Sequence, residues 1–242
     1  MTFADLHNHS LCGVDDGARS KEAMLEMIER SYSDGVRYLC LTPHYHPGYY
    51  GYNRGSSDHA FRVLSEICAE KYPDLVLALG NELHYSREFS DWLKEGQCLS
   101  MAGTRYLLVD FSEDEIADEI LKALFRIAGQ GYLPILAHAE RYKNLKIGQI
   151  RHLKSEKILI QVNAGSPLGA FGLGTKRRAM KIIKERLCSF ISSDAHNTTT
   201  RQTRLNDCYL FLRERIGDDY AKSIFFENAI SLIFDGKRKE NK

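Results

Sequence analysis

The chain has 242 residues, of which 43% are hydrophobic and 27% are charged, and this composition excludes a disordered or collagen-like protein. The 33 basic residues nearly balance the 32 acidic ones, so a formal charge of +1 gives no support to a nucleic-acid groove or a polybasic membrane contact. The length fits a single domain, which we expect over residues 1–235, followed by a frayed basic tail over 236–242.

Neither a signal peptide nor a membrane span is expected. The N-terminus has no basic stretch followed by an apolar run, and no segment approaches the roughly eighteen apolar residues that a span requires. The six cysteines are scattered and form no Cys-x-x-Cys pair, which is typical of reduced thiols. Together these features predict a cytoplasmic protein.

Apolar, β-branched runs alternate with segments of helical period along the whole chain, and this pattern predicts repeated βα units with a parallel sheet. Several runs are continuously apolar, as expected for strands that are buried on both faces. We predict seven strands, at Phe3–Leu6, Val36–Thr42, Leu75–Leu79, Arg105–Phe111, Leu133–Ala137, Ile158–Val162 and Cys188–Ser192.

The segments between the strands carry helix and turn signals. One helix is predicted to start near Ser20 and to end at Gly35, and another to begin with a capping box at 112–115. The irregular stretch 43–59, rich in Gly and Tyr, predicts a loop over a site. The segment 169–176 resembles a phosphate loop but lacks Gly-Lys-[Ser/Thr] in order, so we interpret it as a turn.

A histidine or carboxylate follows almost every predicted strand, where a βα architecture places its active site. Residues that are distant in sequence should therefore meet at one rim. Mixed imidazole and carboxylate groups suit Zn, Mn or Fe, and the set is too large for one ion, so two or three metals are predicted with Glu82 as a candidate bridge. The set comprises His7, His9, Asp16, His44, Glu82, Asp110, His138, Asp194 and His196.

Other residues near these strand ends are given lesser roles. Asp5 is predicted to orient a ligand imidazole. The remaining histidines are expected to have surface or packing roles, and His46, two residues past His44, is the best candidate for an exception; these four are His46, His59, His84 and His152.

Two arginines should lie on the same rim. Arg141 lies three residues after His138, and Arg201 seven after Asp194. A guanidinium fork binds phosphate oxygens in a bidentate manner, so we predict that both arginines clamp an anion. The nearby aromatic residues either cover a substrate ring or pack the loop, and the sequence favours neither; they are Tyr45, Tyr49, Tyr50 and Tyr52.

These motifs resemble the polymerase and histidinol phosphatase (PHP) superfamily. The resemblance spans the chain through the segments Asp5–His9, Thr42–His44, Gly80–Glu82, His138–Tyr142 and Ser193–His196. Val14-Asp15-Asp16-Gly17-Ala18 and the His-x-Glu-Arg-Tyr segment are similar to the manganese-dependent bacterial tyrosine-protein phosphatase branch, associated with capsule and exopolysaccharide assembly.

The resemblance implies a distorted (β/α)7 TIM-like barrel that carries three divalent metals, usually Mn2+, with Fe or Zn as alternatives. It implies one metal on His7, His9, Glu82 and Asp194, a second on Glu82, Asp110 and His138, and a third on Asp16, His44 and His196. Asp110 departs from the pattern, because that branch usually has Glu at this position. The shorter side chain affects the expected geometry of the second metal.

The implied reaction is hydrolysis of protein phosphotyrosine, with a bacterial tyrosine autokinase as the partner. A metal-activated hydroxide would attack phosphorus in line while the metals and arginines stabilise the equatorial oxygens. The general acid stays open between His44, Asp16 and a metal-bound water. The sequence also leaves open whether the chain forms a homo-oligomer.

Two alternatives remain at this point. One is a small-molecule phosphatase of the same fold, acting on histidinol phosphate or a nucleotide. The other is a metal-binding module without turnover, against which the complete ligand set and both arginines argue. A nuclease is disfavoured because no basic, aromatic-lined stripe occurs.

Overall fold

The computed structural model describes residues 1–50 and 52–235, and the predicted tail 236–242 lies outside them. Strands and helices alternate along the chain. The strands are β1 (Phe3–Asp5), β2 (Val36–Leu41), β3 (His44–Tyr45), β4 (Val76–Leu79), β5 (Glu82–His84), β6 (Tyr106–Asp110), β7 (Leu133–Leu136), β8 (Leu159–Asn163) and β9 (Phe190–Ser192).

The helices cover the outside of the sheet. They are α1 (Lys21–Ser33), α2 (Arg54–Lys71), α3 (Phe89–Lys94), α4 (Ala117–Gly129), α5 (Ile147–Ser155), α6 (Gly165–Leu168), α7 (Gly172–Lys184), α8 (Leu205–Ile216) and α9 (Asp218–Lys222). A 3-10 turn at Met101–Gly103 and π-helical turns at Ser223–Glu227 and Ile230–Phe234 complete the described elements.

All the strand pairs are parallel, in the orders β1-β2-β4 and β3-β5-β6-β7-β8-β9. Only two residues separate β2 from β3 and β4 from β5, so the nine segments make seven strand positions within the described residues. The Asp194 amide donates to the His7 carbonyl at 2.8 Å and the His9 amide donates to the Ala195 carbonyl at 2.9 Å. These bonds join the first strand to the last, and the predicted (β/α)7 barrel is confirmed.

Alternation along the strands divides the buried residues into two layers. Ala4, Cys40, Leu108 and Phe190 pack inside the barrel. The residues that point outwards pack under the helices; they include Phe3, Leu39, Leu107, Val109, Leu136, Ile160 and Ile191. Because both faces of each strand are covered, the strands are continuously apolar, as their sequence indicated.

Several local predictions can be compared with the structure. Ser20 is the N-cap of α1, where its side chain accepts from the Ala23 amide. The capping box at 112–115 is wrong, because α4 begins only at Ala117 with Ile116 as its N-cap. The Glu115 carboxylate, which the box assigned to the Ser112 amide, instead accepts from the adjacent Ile116 amide at 2.9 Å.

Two predicted irregular stretches are shorter than expected. The loop over 43–59 contains β3 and ends where α2 begins at Arg54. The turn over 169–176 is confined to residues 169–171, because α7 begins at Gly172. Among the described residues, no helix combines the length and the apolarity needed to cross a membrane.

Candidate metal centre

The barrel brings all nine predicted ligand residues to one rim. Parallel pairing sets His44 of β3 opposite Glu82 of β5, and a parallel bridge between Asn8 and Ala195 joins the segments that follow β1 and β9. The side chains form three groups in which one ligand atom of each residue lies within 4.8 Å of the others. The groups are His9, Asp16, His44 and His196; His7, His9 and Asp194; and Glu82, Asp110 and His138.

Glu82 lies at the centre of the rim and is buried, with 1% of its surface exposed. Its Oε2 lies 2.9 Å from His44 Nδ1, 3.1 Å from His7 Nε2 and 3.3 Å from His9 Nε2. Its Oε1 lies 2.8 Å from His138 Nε2. One carboxylate therefore touches side chains of all three groups, as a bridging ligand must.

The spacing of the imidazole nitrogens fits shared coordination. His7 Nε2 and His9 Nε2 are 3.1 Å apart. Two nitrogens that each bind one ion at about 2.1 Å and near a right angle are about 3 Å apart. The imidazole and carboxylate donor set also suits first-row divalent metals.

Several buried polar atoms on this rim make no well-directed hydrogen bond in the described structure, although Glu82 Oε2 and His196 Nε2 lie near other polar atoms. They are Glu82 Oε2, Asp110 Oδ1, His138 Nδ1 and His196 Nε2. Buried polar groups are nearly always satisfied, so such a concentration at one place requires an explanation. Bound cations would satisfy the carboxylate oxygens and His196 Nε2, and the residues therefore fit the implied metals.

The charges on the rim perturb one another strongly. Burial alone would lower the pKa of His7, but the carboxylates of Glu82 and Asp194 outweigh it and raise that pKa to about 9. Burial would also lower the pKa of His44, but the Glu82 carboxylate outweighs it and raises that pKa to about 10. His196 differs, because burial and the neighbouring His9 lower its pKa to about 4.

The carboxylates show the complementary effect. Burial would raise the pKa of Glu82, but His7 and His44 hold it well below its usual value. His7 and Arg201 likewise outweigh burial and hold the pKa of Asp194 far below its usual value. The carboxylates are therefore ionised and available to cations at neutral pH.

Two of the predicted ligands have unusual backbone conformations. His138 has φ +32° and Asp194 has φ +51°, and each lies two residues past the end of a strand. Non-glycine residues rarely adopt positive φ, and such strain is concentrated at functional sites, where surrounding contacts impose it. Gln161 Oε1 accepts from the His138 amide at 2.7 Å, and the His7 carbonyl accepts from the Asp194 amide.

Asp15 orients His9 and was not predicted to do so. Its Oδ2 lies 2.7 Å from His9 Nδ1 and accepts from the His44 amide at 3.0 Å, while its Oδ1 accepts from the Gly17 amide at 2.9 Å. A carboxylate behind a ligand histidine fixes its tautomer and ring orientation. The only signal in the sequence was the position of Asp15 beside Asp16.

Strand β8 contributes positioning residues rather than ligands. Gln161 Oε1 lies 3.3 Å from His7 Nδ1, and Asn163 Nδ2 donates to Asp194 Oδ2 at 2.7 Å. Sequence reasoning missed both amides. It also assigned to Asp5 the orientation of an imidazole, which is wrong: Asp5 Oδ1 accepts from the backbone amides of His7 and Ser193, so it holds two strand ends together.

Both predicted arginines lie on the rim and converge on Asp194. Arg201 Nη2 is 3.0 Å from Asp194 Oδ1, and Arg141 Nη1 is 3.5 Å from Asp194 Oδ2. Arg141 also donates through Nε and Nη2 to Glu113 Oε1, at 2.9 and 2.6 Å. The two guanidinium groups therefore lie on either side of the buried Asp194 carboxylate, which belongs to the group of His7, His9 and Asp194.

The tyrosines near β3 separate into two pairs. Tyr45 and Tyr52 pack against each other, and Tyr45 also packs against Trp92, away from the rim. Tyr50 stacks on His44, with ring centroids 4.5 Å apart and planes at 4°. Tyr49 stacks on His46, with centroids 5.1 Å apart. Only the second pair can cover a substrate ring.

Two of the histidines that were expected to have ordinary packing roles lie beside the cluster. His84 Nδ1 is 3.2 Å from Asp110 Oδ2, and the ring of His46 stacks on that of His84 with centroids 4.0 Å apart. His152 packs against Phe125, as expected for a residue without a role at the site. The group of Glu82, Asp110 and His138 is thus bordered by two histidines that were not among the predicted ligands.

The chain is similar to known phosphatases over nearly its whole length. It is 29% identical to the tyrosine-protein phosphatase CpsB of Streptococcus agalactiae serotype III (strain NEM316), over 95% of this chain and 97% of that protein. It is 27% identical to the tyrosine-protein phosphatase YwqE of Bacillus subtilis (strain 168), over 95% of this chain and 91% of that one.

A solved structure agrees with these relatives. This structure is described under the crystal structures of YwqE from Bacillus subtilis and CpsB from Streptococcus pneumoniae, as metal-dependent tyrosine phosphatases. It superimposes on this chain with a TM-score of 0.87 and 26% sequence identity, covering 96% of this chain and 94% of that one. The model of the family described as "Capsular polysaccharide synthesis, CpsB/CapC" matches residues 3–234. The chain belongs to the CpsB/CapC family.

Proposed function

We propose that this protein is a metal-dependent phosphatase that hydrolyses phosphotyrosine in proteins. The observation that carries the proposal is the meeting of nine imidazole and carboxylate side chains with two guanidinium groups on one rim of the barrel. Metal ligands beside anion-binding arginines suit a phosphate ester better than an uncharged substrate. The relatives described as tyrosine-protein phosphatases support the same reaction.

Three divalent metals, in our proposal Mn2+, would be held by the three groups of the rim. Glu82 would bridge the ion held by His7, His9 and Asp194 and the ion held by Asp110 and His138. Asp16, His44 and His196 would hold the third, with His9 close to it. Such ions supply Lewis acidity and a nucleophile from water at neutral pH, so that no phosphoenzyme is required.

The residues of the chain would bind and orient the substrate. Arg141 and Arg201 would turn part of their hydrogen bonding from Asp194 and Glu113 to the phosphoryl oxygens, whose charge increases in the transition state. Asp15 and Gln161 would keep the rings of His9 and His7 in place during that change.

The aromatic residues support an aryl substrate. Tyr49 is 72% exposed and Tyr50 stacks on His44, so both border the space above the rim. Their faces can contact the phenyl ring of phosphotyrosine. Phenol has a pKa of about 10 and leaves more easily than an alkoxide, so the reaction depends less on a general acid.

We further propose that the substrate is a bacterial tyrosine autokinase and that the enzyme acts in the cytoplasm, in regulation of capsule or exopolysaccharide synthesis. The description of the family as one of capsular polysaccharide synthesis supports this context. The six cysteines form no disulfide among the described residues, as expected for a reducing compartment.

The experiment combines metal analysis with turnover. We would purify the protein without chelator, measure metal per chain, and compare rates on a phosphotyrosine peptide and on histidinol phosphate, with and without Mn2+. Turnover of the peptide that chelator removes and Mn2+ restores is the expected result. Faster hydrolysis of histidinol phosphate would favour the small-molecule alternative, and bound metal without any turnover would favour a non-catalytic module.

A matched pair of histidine variants provides the control. His196→Asn should lower the metal content and the rate together, because His196 belongs to one of the groups. His152→Asn alters an exposed histidine on α5 and should change neither. Equal effects of the two substitutions would contradict the assignment of the rim as the metal site.

A further inference from the structure

A cavity of about 540 Å³ adjoins the metal centre on the side of β6, β7 and β8. We name it the Arg178 cavity. Its lining comes from segments that follow the carboxyl ends of these strands, so it opens on the same side of the barrel as the metal centre. It is lined by Glu113, Glu140, Arg141, Lys143, Phe171, Gly174, Thr175 and Arg178.

Each carboxylate of the Arg178 cavity has one oxygen that already accepts two hydrogen bonds. Glu113 Oε1 accepts both hydrogen bonds from Arg141. Glu140 is 2% exposed, and its Oε1 accepts from Ser166 Oγ at 2.6 Å and from the Asn163 amide at 3.0 Å, while its Oε2 is buried without a partner in the described structure. Neither acid forms a salt bridge with Lys143 or Arg178 within the described residues.

The cationic groups of the cavity are less well satisfied. Arg178 donates to the Leu145 carbonyl through Nη2, while its Nε is buried and has no partner in the described structure. Lys143 is exposed and makes no ion pair with the described residues. A buried guanidinium N–H without an acceptor indicates that an acceptor is missing, and the first turn of α7, which carries Gly174 and Thr175, adds positive potential.

Arg141 forms the wall between the cavity and the metal centre. Its Nη2 is 2.6 Å from Glu113 in the cavity, and its Nη1 is 3.5 Å from Asp194 on the rim. The two sites are therefore about one guanidinium group apart. An extended peptide advances about 3.3 Å per residue, so a neighbour one to three positions from a bound phosphotyrosine can reach the cavity.

We propose that the Arg178 cavity binds an acidic group of the substrate peptide, either a carboxylate or a second phosphoryl group, close to the phosphotyrosine. Lys143, Arg178 and the Thr175 hydroxyl bind this anion, and Phe171 forms an apolar wall beside it. The inference rests on the proposed function, because it assumes that a phosphotyrosine peptide lies across the rim. It makes the enzyme selective for acidic or multiply phosphorylated sequences.

Binding of non-hydrolysable peptides tests this proposal without requiring turnover. Fluorescein-labelled peptides would carry a phosphonate analogue of phosphotyrosine flanked by alanine, by glutamate or by a second phosphonate, and their Kd for the metal-loaded protein would be measured by fluorescence polarisation. A charge-assisted hydrogen bond of about 1.5 kcal/mol corresponds to about tenfold in Kd. We expect at least one acidic series to bind about tenfold more tightly than the alanine series.

The variants are Lys143→Ala and the double variant Lys143→Ala with Arg178→Gln. The first alters an exposed side chain and should fold normally even if loss of the Arg178 bond to Leu145 disturbs the second. Arg177→Gln is the matched control, because Arg177 is adjacent on α7 but lines a different cavity with Lys181. The preference should weaken in the single variant, disappear in the double variant and persist in the control.

Each result has a defined meaning. A preference for glutamate identifies a carboxylate site, and a preference only for the second phosphonate identifies a phosphoryl site. Equal Kd values for all peptides with the wild-type protein, or a preference that survives in both variants, would refute the proposal. Turnover of p-nitrophenyl phosphate, measured on the same samples, tests the proposed function separately and should change by less than about twofold in the variants.

Discussion

At Asp194, two guanidinium groups, three imidazoles and an amide compete for two carboxylate oxygens. Arg201 contacts Oδ1 at 3.0 Å and Asn163 donates to Oδ2 at 2.7 Å. His7 Nε2 lies 3.5 Å from Oδ1. In the metal-free protein the Asp194 carboxylate pairs with the arginines and imidazoles that we assign to phosphate and metal binding. This pairing offsets the cost of burying so many charged groups.

Arg201→Lys should separate substrate binding from metal binding. Lysine keeps the positive charge but cannot form the planar, bidentate contact with phosphate oxygens, so kcat/KM should decrease by about 100-fold. Metal content should stay normal, because Arg201 is not among the residues that could hold an ion. Steady-state kinetics and elemental analysis measure the two effects, with Arg213→Lys on the exposed side of α8 as the control. Unchanged kinetics would remove Arg201 from the site.

At this scale the sequence predicted more about ligands than about the residues that position them. Histidines and carboxylates at strand ends are a local signal, and all nine lie in the three groups. Gln161 and Asn163 are neutral amides within a strand, with no pattern of their own. Their role depends on contacts with His7 and Asp194, which the sequence alone does not place beside them.

Among the loops, the turn between β1 and α1 is held tightly against the cluster. The Ala18 amide donates to the His9 carbonyl at 3.1 Å, and the Gly13 amide donates to the Ala18 carbonyl at 2.8 Å. A Cβ added to Gly17 would lie 1.9 Å from the His9 carbonyl oxygen. Only glycine allows this close approach, which brings Asp15 and Asp16 to the histidines.

Gly17→Ala should therefore displace this turn and weaken the group that contains Asp16. We expect the protein to stay folded, to lose about one metal per chain and to lose at least tenfold in kcat/KM, because misplaced positioning groups typically cost 10–100-fold. Metal analysis and kinetics would check this, with Gly13→Ala as a comparison, since a Cβ at Gly13 meets no atom within 4 Å and only the positive φ is strained. Full metal content in Gly17→Ala would contradict the role of this turn.

The segment after β3 should determine the preference for aryl substrates. Tyr50→Ala removes the ring that stacks on His44, so kcat/KM for a phosphotyrosine peptide should decrease about tenfold relative to an alkyl phosphate. Tyr52→Ala disturbs the packing against Tyr45 instead, and should lower stability without changing the ratio of the two rates. A constant ratio in Tyr50→Ala would show that this ring does not contact the substrate.

Element prediction succeeded where the signal was periodic and failed where it was a short motif. The continuous apolar strands were identified because burial on both faces imposes one composition along the whole run. The capping box failed because the Glu115 carboxylate accepts from the adjacent Ile116 amide, and the helix begins only at Ala117. A cap contributes only about 1 kcal/mol, so a short motif is weak evidence for where a helix starts.

For the whole molecule, the cluster joins the first strand of the barrel to the last, so its protonation affects global stability. His7 and His44 have folded-state pKa values of about 9 and about 10, raised from 6.5. A raised pKa gives stability that is complete below the unfolded value and is lost as pH rises through the folded value. His196, with a pKa of about 4, has the opposite effect and loses stability below pH 6.5.

The metal-free protein should therefore become less stable between pH 6.5 and 9, while the Mn2+-loaded protein should not, because metal binding requires neutral imidazoles. Thermal unfolding with chelator and with Mn2+ across this range would measure both curves. His44→Gln should flatten the metal-free curve, since it removes one of the two titrating groups. A metal-free Tm that is constant or rises with pH would contradict the ion pairing in the cluster.

The sequence by itself determined the order of the strands along the chain, the parallel βα architecture and the residues that meet at one rim. These follow from periodicity and from the parallel direction of the strands, which places every strand end at the same side. The barrel class came from the resemblance of the motifs to the PHP superfamily. Only the tertiary structure decided which tyrosines face the rim, that Asp15 and Gln161 hold the imidazoles, and that a cationic cavity adjoins Arg141. Each of these depends on distances between side chains on different elements, for which a single sequence contains no local signal.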